Sequence, residues 1–198
     1  MMMSSRFSKL VREALGKKGG EILLLLLSLL GFYFFAYRRG QFFRVPSASM
    51  APTLLKGDQI VTVRESSYGR GDIVVLRDPE DKKSYIVKRI AAVGGDTVFV
   101  TGGALYVNGA YVSEPYISEP PNYQMEPYNV PEGSIFVLGD NRNDSDDSHM
   151  WSEKALPLSD VTGKVHFIYY PYDRTGLISG YPPVTADHGL VQQTPGIL

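Results

Sequence analysis

The sequence predicts a mainly β protein with a single transmembrane helix near its N-terminus. One long uncharged run, residues 22–37, is typical of a helix in a lipid bilayer. The chain after it alternates between short apolar segments and turn signals, which is the pattern of an antiparallel β-sheet. The 198 residues also include 20 glycines, 13 prolines and 13 tyrosines, and this composition favours strands joined by loops.

Residues 21–37 are predicted to form an uncleaved single-pass anchor. As a helix, the uncharged run covers roughly 24 Å, slightly less than a hydrocarbon core of about 30 Å, and interfacial aromatic side chains can lengthen it. A cleavable signal peptide has the same basic-then-apolar order but needs small residues at its cleavage site. This run instead ends at Tyr37, Arg38 and Arg39.

Basic residues are more numerous before the anchor than after it. Residues 1–20, predicted to form a cytosolic tail, contain five Lys or Arg residues, whereas residues 38–44 contain three. Because basic residues favour the cytosolic side, we expect a cytosolic N-terminus and a main domain on the outer face, periplasmic, extracellular or lumenal.

The rest of the chain is predicted to form one β-domain from residues 38–101 and 133–172. An accessory hairpin or loop insertion is expected at residues 102–132, and a C-terminal tail at 173–198. Residues 113–132 hold five prolines and few aliphatic residues, which indicates an irregular excursion. The predicted strands are residues 59–63, 71–76, 84–93, 97–100, 104–107, 111–112, 134–138 and 163–170.

Composition argues against several classes of function. The net charge is −1, so no general basic field points to a nucleic-acid partner. The chain has no cysteine, which excludes thiol nucleophiles and thiolate metal sites. His149, His166 and His188 do not fall at metal-binding spacing, so neither a metal nor another cofactor is expected.

Two serines lie close together between two prolines, in a segment that runs to Leu54. Ser47 and Ser49 follow Pro46 and precede Pro52. Each proline fixes its own φ and biases the preceding residue toward extended geometry, so we expect a stiff, extended segment. Such a segment could hold a serine hydroxyl in place for nucleophilic attack, or it could be a simple loop after the anchor.

Lys88 lies within an apolar strand. Strand alternation places it on one face with Ile86 and Ile90, and Arg89 on the other. Burial disfavours the ammonium form, and a neutral amine can act as a general base toward a serine. The alternatives are that Arg89 faces inward instead, or that the lysine reaches water.

Residues 139–148 follow a predicted buried strand and are rich in polar side chains. They include four carboxylates, one guanidinium, two amides and two hydroxyls. A calcium loop, a surface loop of Asx-turns and a hydrogen-bonded scaffold beside a site all remain open, although the strict calcium-loop spacing is missing.

Four segments, in order, resemble the type I signal peptidases, membrane-bound serine proteases with a serine–lysine dyad. The resemblance extends over about residues 20–170, with an anchor in the expected place, and implies a signal-peptidase-type antiparallel β catalytic domain. The four segments are residues 46–54, 71–75, 88–96 and 139–148.

The resemblance implies a role for several residues. Ser49 would be the nucleophile and Lys88 the general base. The Ser49 N–H and the Ser47 hydroxyl would form the oxyanion hole, and Ser145 would orient the lysine amine. A supporting ion-pair network would contain Asp140, Arg142 and Asp147. No histidine or metal is needed for such chemistry.

The family cleaves signal peptides from exported preproteins after small residues, in an Ala-x-Ala pattern. Its expected partners are therefore these signal peptides, the lipid bilayer and the secretion machinery, and not nucleic acid. The resemblance places six apolar residues at the substrate pockets, and simple core packing is the alternative for each. They are Phe43, Val45, Met50, Leu54, Ile86 and Val87.

This chain departs from the family pattern in the last segment. Asp144 stands where asparagine is usual, and His149 where arginine is frequent; neither departure affects Ser49 or Lys88. Three alternatives to a general signal peptidase are a processing peptidase of a conjugation or pilus system, a self-cleaving repressor-type protease, and a catalytically silent membrane-anchored β-domain that binds peptides.

Overall fold

The computed structural model describes residues 16–178, which divide into two compact units after Gly40. The first unit contains helix α1 (Lys17–Arg39), and the second contains the β-domain. The predictions for most of the cytosolic tail, residues 1–15, and for most of the C-terminal tail, residues 179–198, lie outside the described residues.

Helix α1 covers the run that the sequence assigns to the anchor. The leucine and isoleucine side chains between Ile22 and Leu30 are 45–69% exposed. Among the described residues, no helix combines the length and the apolar character needed to cross a membrane. The predicted transmembrane span is therefore not confirmed.

The β-domain contains two sheets. In chain order the strands are β1 (Gly40–Arg44), β2 (Gln59–Val63), β3 (Ile73–Arg77), β4 (Tyr85–Val93), β5 (Thr97–Thr101), β6 (Ala104–Val107), β7 (Ala110–Tyr111), β8 (Met125–Asn129), β9 (Ser134–Leu138), β10 (Leu156–Pro157), β11 (Val161–Tyr170) and β12 (Gly176–Leu177). The larger sheet has the order β1-β2-β11-β3-β4-β9-β10, with β12 paired to β11, and the smaller sheet has the order β7-β6-β5-β8.

The mainly β prediction is confirmed, with one correction in the excursion. Strands β2, β6 and β9 coincide with their predicted bounds. Residues 113–132 are not irregular throughout, because β8 pairs with β5 at an edge of the smaller sheet. Pro127 interrupts that pairing where the register shifts, and an edge strand tolerates a residue without an N–H.

Strand β4 lies between β3 and β9 and separates two cores. Val87 packs in one hydrophobic cluster, whereas Ile86 and Ile90 contact another, as expected from strand alternation. A third cluster joins the two sheets, because Val98 and Val100 of β5 pack with Phe136 of β9. The smaller sheet starts at Thr97, five residues before the predicted insertion at 102–132.

Candidate active site

The segment after β1 forms turns and is not extended as predicted. The Ala51 N–H donates to the Ala48 carbonyl over 3.0 Å, and the Leu54 N–H donates to the Met50 carbonyl over 2.9 Å. Met50 and Leu54 are fully buried. Their burial one helical turn apart overcomes the local preference of the prolines, because each buried side chain contributes about 1.5–3 kcal/mol.

Ser49 lies beside Met50 and is itself half-buried. Its Oγ accepts a hydrogen bond of 3.2 Å from the Ser47 hydroxyl. Among the hydrogen bonds of residues 16–178, none has the Ser49 N–H as donor. The Ser47 hydroxyl and this N–H are thus two neighbouring donors beside the candidate nucleophile.

Lys88 is buried in the middle of β4 and is only 3% exposed. Its Nζ donates a hydrogen bond of 2.8 Å to Ser145 Oγ. Burial lowers the pKa of Lys88, and this effect outweighs the nearby carboxylates, led by Asp147, which raise it. Arg89 is also buried, on the opposite face of the strand. The alternative that Arg89 faces inward instead of Lys88 and the alternative that Lys88 reaches water are therefore both wrong.

Ser145 belongs to a chain of hydrogen bonds that continues to His149. Its hydroxyl donates to Asp147 Oδ2 over 2.7 Å, and His149 Nδ1 lies 2.6 Å from Asp147 Oδ1. Burial raises the pKa of Asp147, but hydrogen bonds from His149, the Gly139 N–H and Ser145 outweigh that effect and lower it. The loop therefore holds an ionised carboxylate behind the serine that binds the lysine.

The polar loop, residues 139–148, also contacts the nucleophile segment, residues 46–54, by hydrogen bonds to its backbone. The Asn141 N–H donates to the Ser49 carbonyl over 3.0 Å, and its side-chain amide donates to the Ala48 carbonyl over 3.3 Å. Gly139 lies so close that an added Cβ would overlap both the Ser49 carbonyl and Ser145 Oγ. Of the three interpretations of this loop, the hydrogen-bonded scaffold matches these contacts.

In the structure, two of the predicted supporting residues, Asp140 and Arg142, pair with partners from other parts of the chain. Asp140 pairs with Arg89 through two hydrogen bonds of 2.8 and 2.7 Å, and not with Arg142. Arg142 instead forms two hydrogen bonds of 2.5 Å with Glu114. Removing one member of such a buried pair typically costs about 3–5 kcal/mol, because the other charge is left uncompensated.

One cleft of about 260 Å³ brings the candidate dyad together. Ser49 and Lys88 both line it, although no direct hydrogen bond joins the two side chains in the described part of the chain. A serine hydroxyl and a buried amine that open onto the same cleft could perform acyl transfer from a peptide to the serine oxygen. The lining residues are Ser47, Ala48, Ser49, Asp78, Ile86, Lys88, Asp144, Asp146 and Trp151.

Only one of the six predicted pocket residues, Ile86, lines this cleft. Val45, Met50, Leu54 and Val87 are buried in one hydrophobic cluster, and Phe43 packs against it. Core packing therefore accounts for these five side chains in the structure. Their contact with a substrate stays a prediction.

Sequence reasoning missed several residues that build the site. Thr53 Oγ1 donates to Asp140 Oδ2 over 2.5 Å, and Trp151 lines the cleft. The position of Arg89 next to Lys88 on a buried strand was a usable signal, because a buried guanidinium needs a carboxylate partner. Glu114 gave no such signal, since it lies 28 residues before its partner in the proline-rich excursion.

Comparisons with known proteins identify the family of the chain. The model of the family "Signal peptidase, peptidase S26" matches residues 19–170. The probable signal peptidase I-1 of Synechocystis sp. is 38% identical over 173 residues, which cover 82% of this chain and 85% of that protein. Signal peptidase I of Leptolyngbya laminosa is 40% identical over 70% of this chain and 72% of its own length.

A plant relative is also similar to part of the chain. Thylakoidal processing peptidase 1 of Arabidopsis thaliana is 41% identical over 141 residues, which cover 64% of this chain and 41% of that protein. The family match includes Ser49, Lys88 and the whole polar loop. The chain belongs to the signal peptidase family, peptidase S26.

Proposed function

We propose that this protein is a serine endopeptidase that removes signal peptides from exported preproteins, with Ser49 as nucleophile and Lys88 as general base. The observation that carries the proposal is the shared cleft, onto which the Ser49 hydroxyl and a buried lysine with a lowered pKa both open. Membership of the signal peptidase family supports the choice of substrate.

The acylation step begins when Ser49 Oγ attacks the scissile carbonyl carbon. Lys88 Nζ takes the hydroxyl proton, and Ser145, which is hydrogen-bonded to that nitrogen, orients it. The carbonyl oxygen becomes an oxyanion, which the Ser49 N–H and the Ser47 hydroxyl stabilise. Ser47 would have to rotate its hydroxyl away from Ser49 Oγ, its acceptor in the free protein.

The tetrahedral intermediate collapses when the carbon–nitrogen bond breaks. Lys88 returns its proton to the leaving amine, which becomes the new N-terminus of the mature protein, and Ser49 keeps the signal peptide as an ester. Lys88, neutral again, then takes a proton from a water that attacks this ester. The serine regains its proton as the signal peptide leaves with a free carboxylate.

Substrate selection by exclusion of bulk is the first testable consequence. Replacing the alanine immediately before the scissile bond by leucine is expected to lower kcat/KM at least about 100-fold, because a small pocket cannot accept the larger side chain. The measurement is cleavage of matched Ala and Leu preproteins, with the N-terminus of the product identified. Equal cleavage of both would contradict a small-residue signal peptidase.

Activity is expected to increase with pH over the acid side of its profile. Because the neutral amine is the base, kcat/KM should fall about tenfold per pH unit below the lowered pKa of Lys88. Chelators are expected to have no effect. A profile that stays flat on the acid side, measured on one peptide at constant ionic strength, would argue against Lys88 as the base.

The same shift has a consequence for stability. Burial places the pKa of Lys88 below its ordinary value of 10.5. Between these two values the unfolded chain binds the proton more tightly than the folded chain does, so the free energy of unfolding rises with pH across that window. Acidification below the lowered pKa removes this dependence, since the lysine is then protonated in both states.

We also propose that α1 holds the protein at a membrane, with the N-terminus cytosolic and the catalytic domain on the outer face. The exposed leucine and isoleucine side chains support this, because a large apolar surface is unfavourable in water. Protease added to sealed vesicles whose original outer face points outward is expected to degrade the β-domain. Recovery of the protein in the wash after alkaline treatment of the membranes would contradict the anchoring.

A further inference from the structure

We propose that Asp78, Asp144 and Asp146 select the charge of the substrate, favouring peptides with a basic side chain beside the scissile bond and disfavouring acidic ones. The inference rests on the proposed function, because it concerns the same cleft. The three carboxylates affect the preference among signal peptides, and Ser49 and Lys88 keep the roles given above.

The three carboxylates surround the reacting groups. They line the same cleft as Ser49 and Lys88, so a peptide bound for attack passes beside them. Asp144 and Asp146 flank the buried Ser145 and are themselves exposed. Asp78 belongs to a different segment, the turn between β3 and β4.

Two of these carboxylates have no partner among the described residues that offsets their negative charge. In residues 16–178, neither the Asp144 nor the Asp146 side chain has a hydrogen-bond or ion-pair partner. Asp78 accepts hydrogen bonds from the backbone N–H groups of Glu80 and Asp81. These bonds fix its position but leave its negative charge.

The cleft is therefore negative when the enzyme is ready to react. Lys88 is the one cation among the described residues that line it, and in the reactive form its amine is neutral. Trp151 also lines an adjoining cleft of about 340 Å³ that includes Glu80, Glu153 and Asp160. Lys82 lies there too, but it is paired with Asp160 at 3.1 Å.

A cleft whose charges all have one sign raises the local concentration of oppositely charged ligands and repels ligands of like charge. Its carboxylates act on the lysine as well, since Asp146, Asp78 and Asp144 all raise the pKa of Lys88 against the effect of burial. The same side chains thus affect both the preference for substrate charge and the pH profile of activity. These two properties can be measured independently.

The test compares six peptides with the full-length protein in detergent. All contain Ala-x-Ala, and Lys, Gln or Glu is placed either at the x position or directly after the scissile bond. At low ionic strength, kcat/KM is expected to be roughly tenfold higher for Lys than for Glu at one or both positions, and salt should reduce the ratio. A ratio within about twofold at both positions would overturn the inference.

The matched variants are Asp144→Asn with Asp146→Asn, and Glu119→Gln with Glu126→Gln. The second pair removes two exposed charges that line neither cleft. The first pair should reduce the Lys-to-Glu ratio to below about threefold and move the acid limb of the profile to lower pH. The control pair should change neither, and a preference retained in the first pair would contradict the inference.

The glutamine peptides separate this inference from the proposed function. Cleavage of the glutamine peptides without any charge preference would overturn only the role of the three carboxylates. Absence of cleavage of all six peptides would overturn the proposed function, and the inference with it.

Discussion

Replacing Ser49 by Ala or Lys88 by Met is expected to abolish cleavage. The first change removes the attacking oxygen, and the second removes the group that accepts its proton. Each loss should lower kcat by about 10⁴-fold or more, and the double variant should be little worse than either single variant, because the two residues act as one unit. The measurement is kcat on an Ala-x-Ala peptide with purified protein.

Folding of these variants provides the control. Methionine fills a similar volume to lysine without the penalty of a buried amine, so thermal unfolding of Lys88→Met should occur at or above the wild-type temperature. Ser47→Ala should be intermediate in activity, with a loss of about 100- to 1,000-fold, since it removes one oxyanion donor only. Activity near wild type in either dyad variant would rule out the assignment.

Gly139→Ala is also expected to lower activity strongly. The new Cβ would overlap the Ser49 carbonyl and Ser145 Oγ, and it would lie 2.6 Å from Ser145 Cβ. Because both neighbours belong to the site, relief of the overlap must displace the nucleophile segment or the serine that binds Lys88. Displacements on the order of 1 Å lower activity about 100-fold, so kcat should fall at least that much.

The matched control for this variant is Gly69→Ala. An added Cβ at Gly69 has no neighbour within 4 Å, so activity there should be unchanged. Overpacking at Gly139 should also lower the free energy of unfolding by about 1–3 kcal/mol, measured by denaturant titration. Wild-type kcat in Gly139→Ala would mean that the close contact has no role in positioning the two serines.

Local patterns were sufficient to predict most of the strands, whereas the pairing of Ser49 with Lys88 was implied by the resemblance to a known family. The continuous apolar runs at β3 and β9, and the alternation of side chains between the two faces of β4, are visible in the sequence. These strand patterns need no knowledge of distant contacts. The apolar neighbours of Lys88 on β4 made its burial one of three open interpretations, and the structure decides for it.

Long-range pairing could not be predicted in the same way. Asp140 and Arg142 are two residues apart in one loop, yet their partners are Arg89 and Glu114, 51 and 28 residues away. Strand β8 was missed because Pro127 argues against a strand, and only the edge position in the smaller sheet tolerates it.

The sequence also could not distinguish residues of a substrate pocket from residues of the hydrophobic core. An apolar side chain near the nucleophile satisfies either role in the sequence, because both require the same residue type. Only the tertiary structure separates Ile86, which lines the cleft, from Met50 and Leu54, which are fully buried in the core.

The most direct test is incubation of the wild-type protein and Ser49→Ala, both in detergent, with a preprotein whose signal peptide ends in Ala-x-Ala. Mass spectrometry then identifies every new N-terminus. The wild-type protein should give one product that begins immediately after the second alanine, and Ser49→Ala should give none. The same product from Ser49→Ala at a comparable rate would show that another residue is the nucleophile.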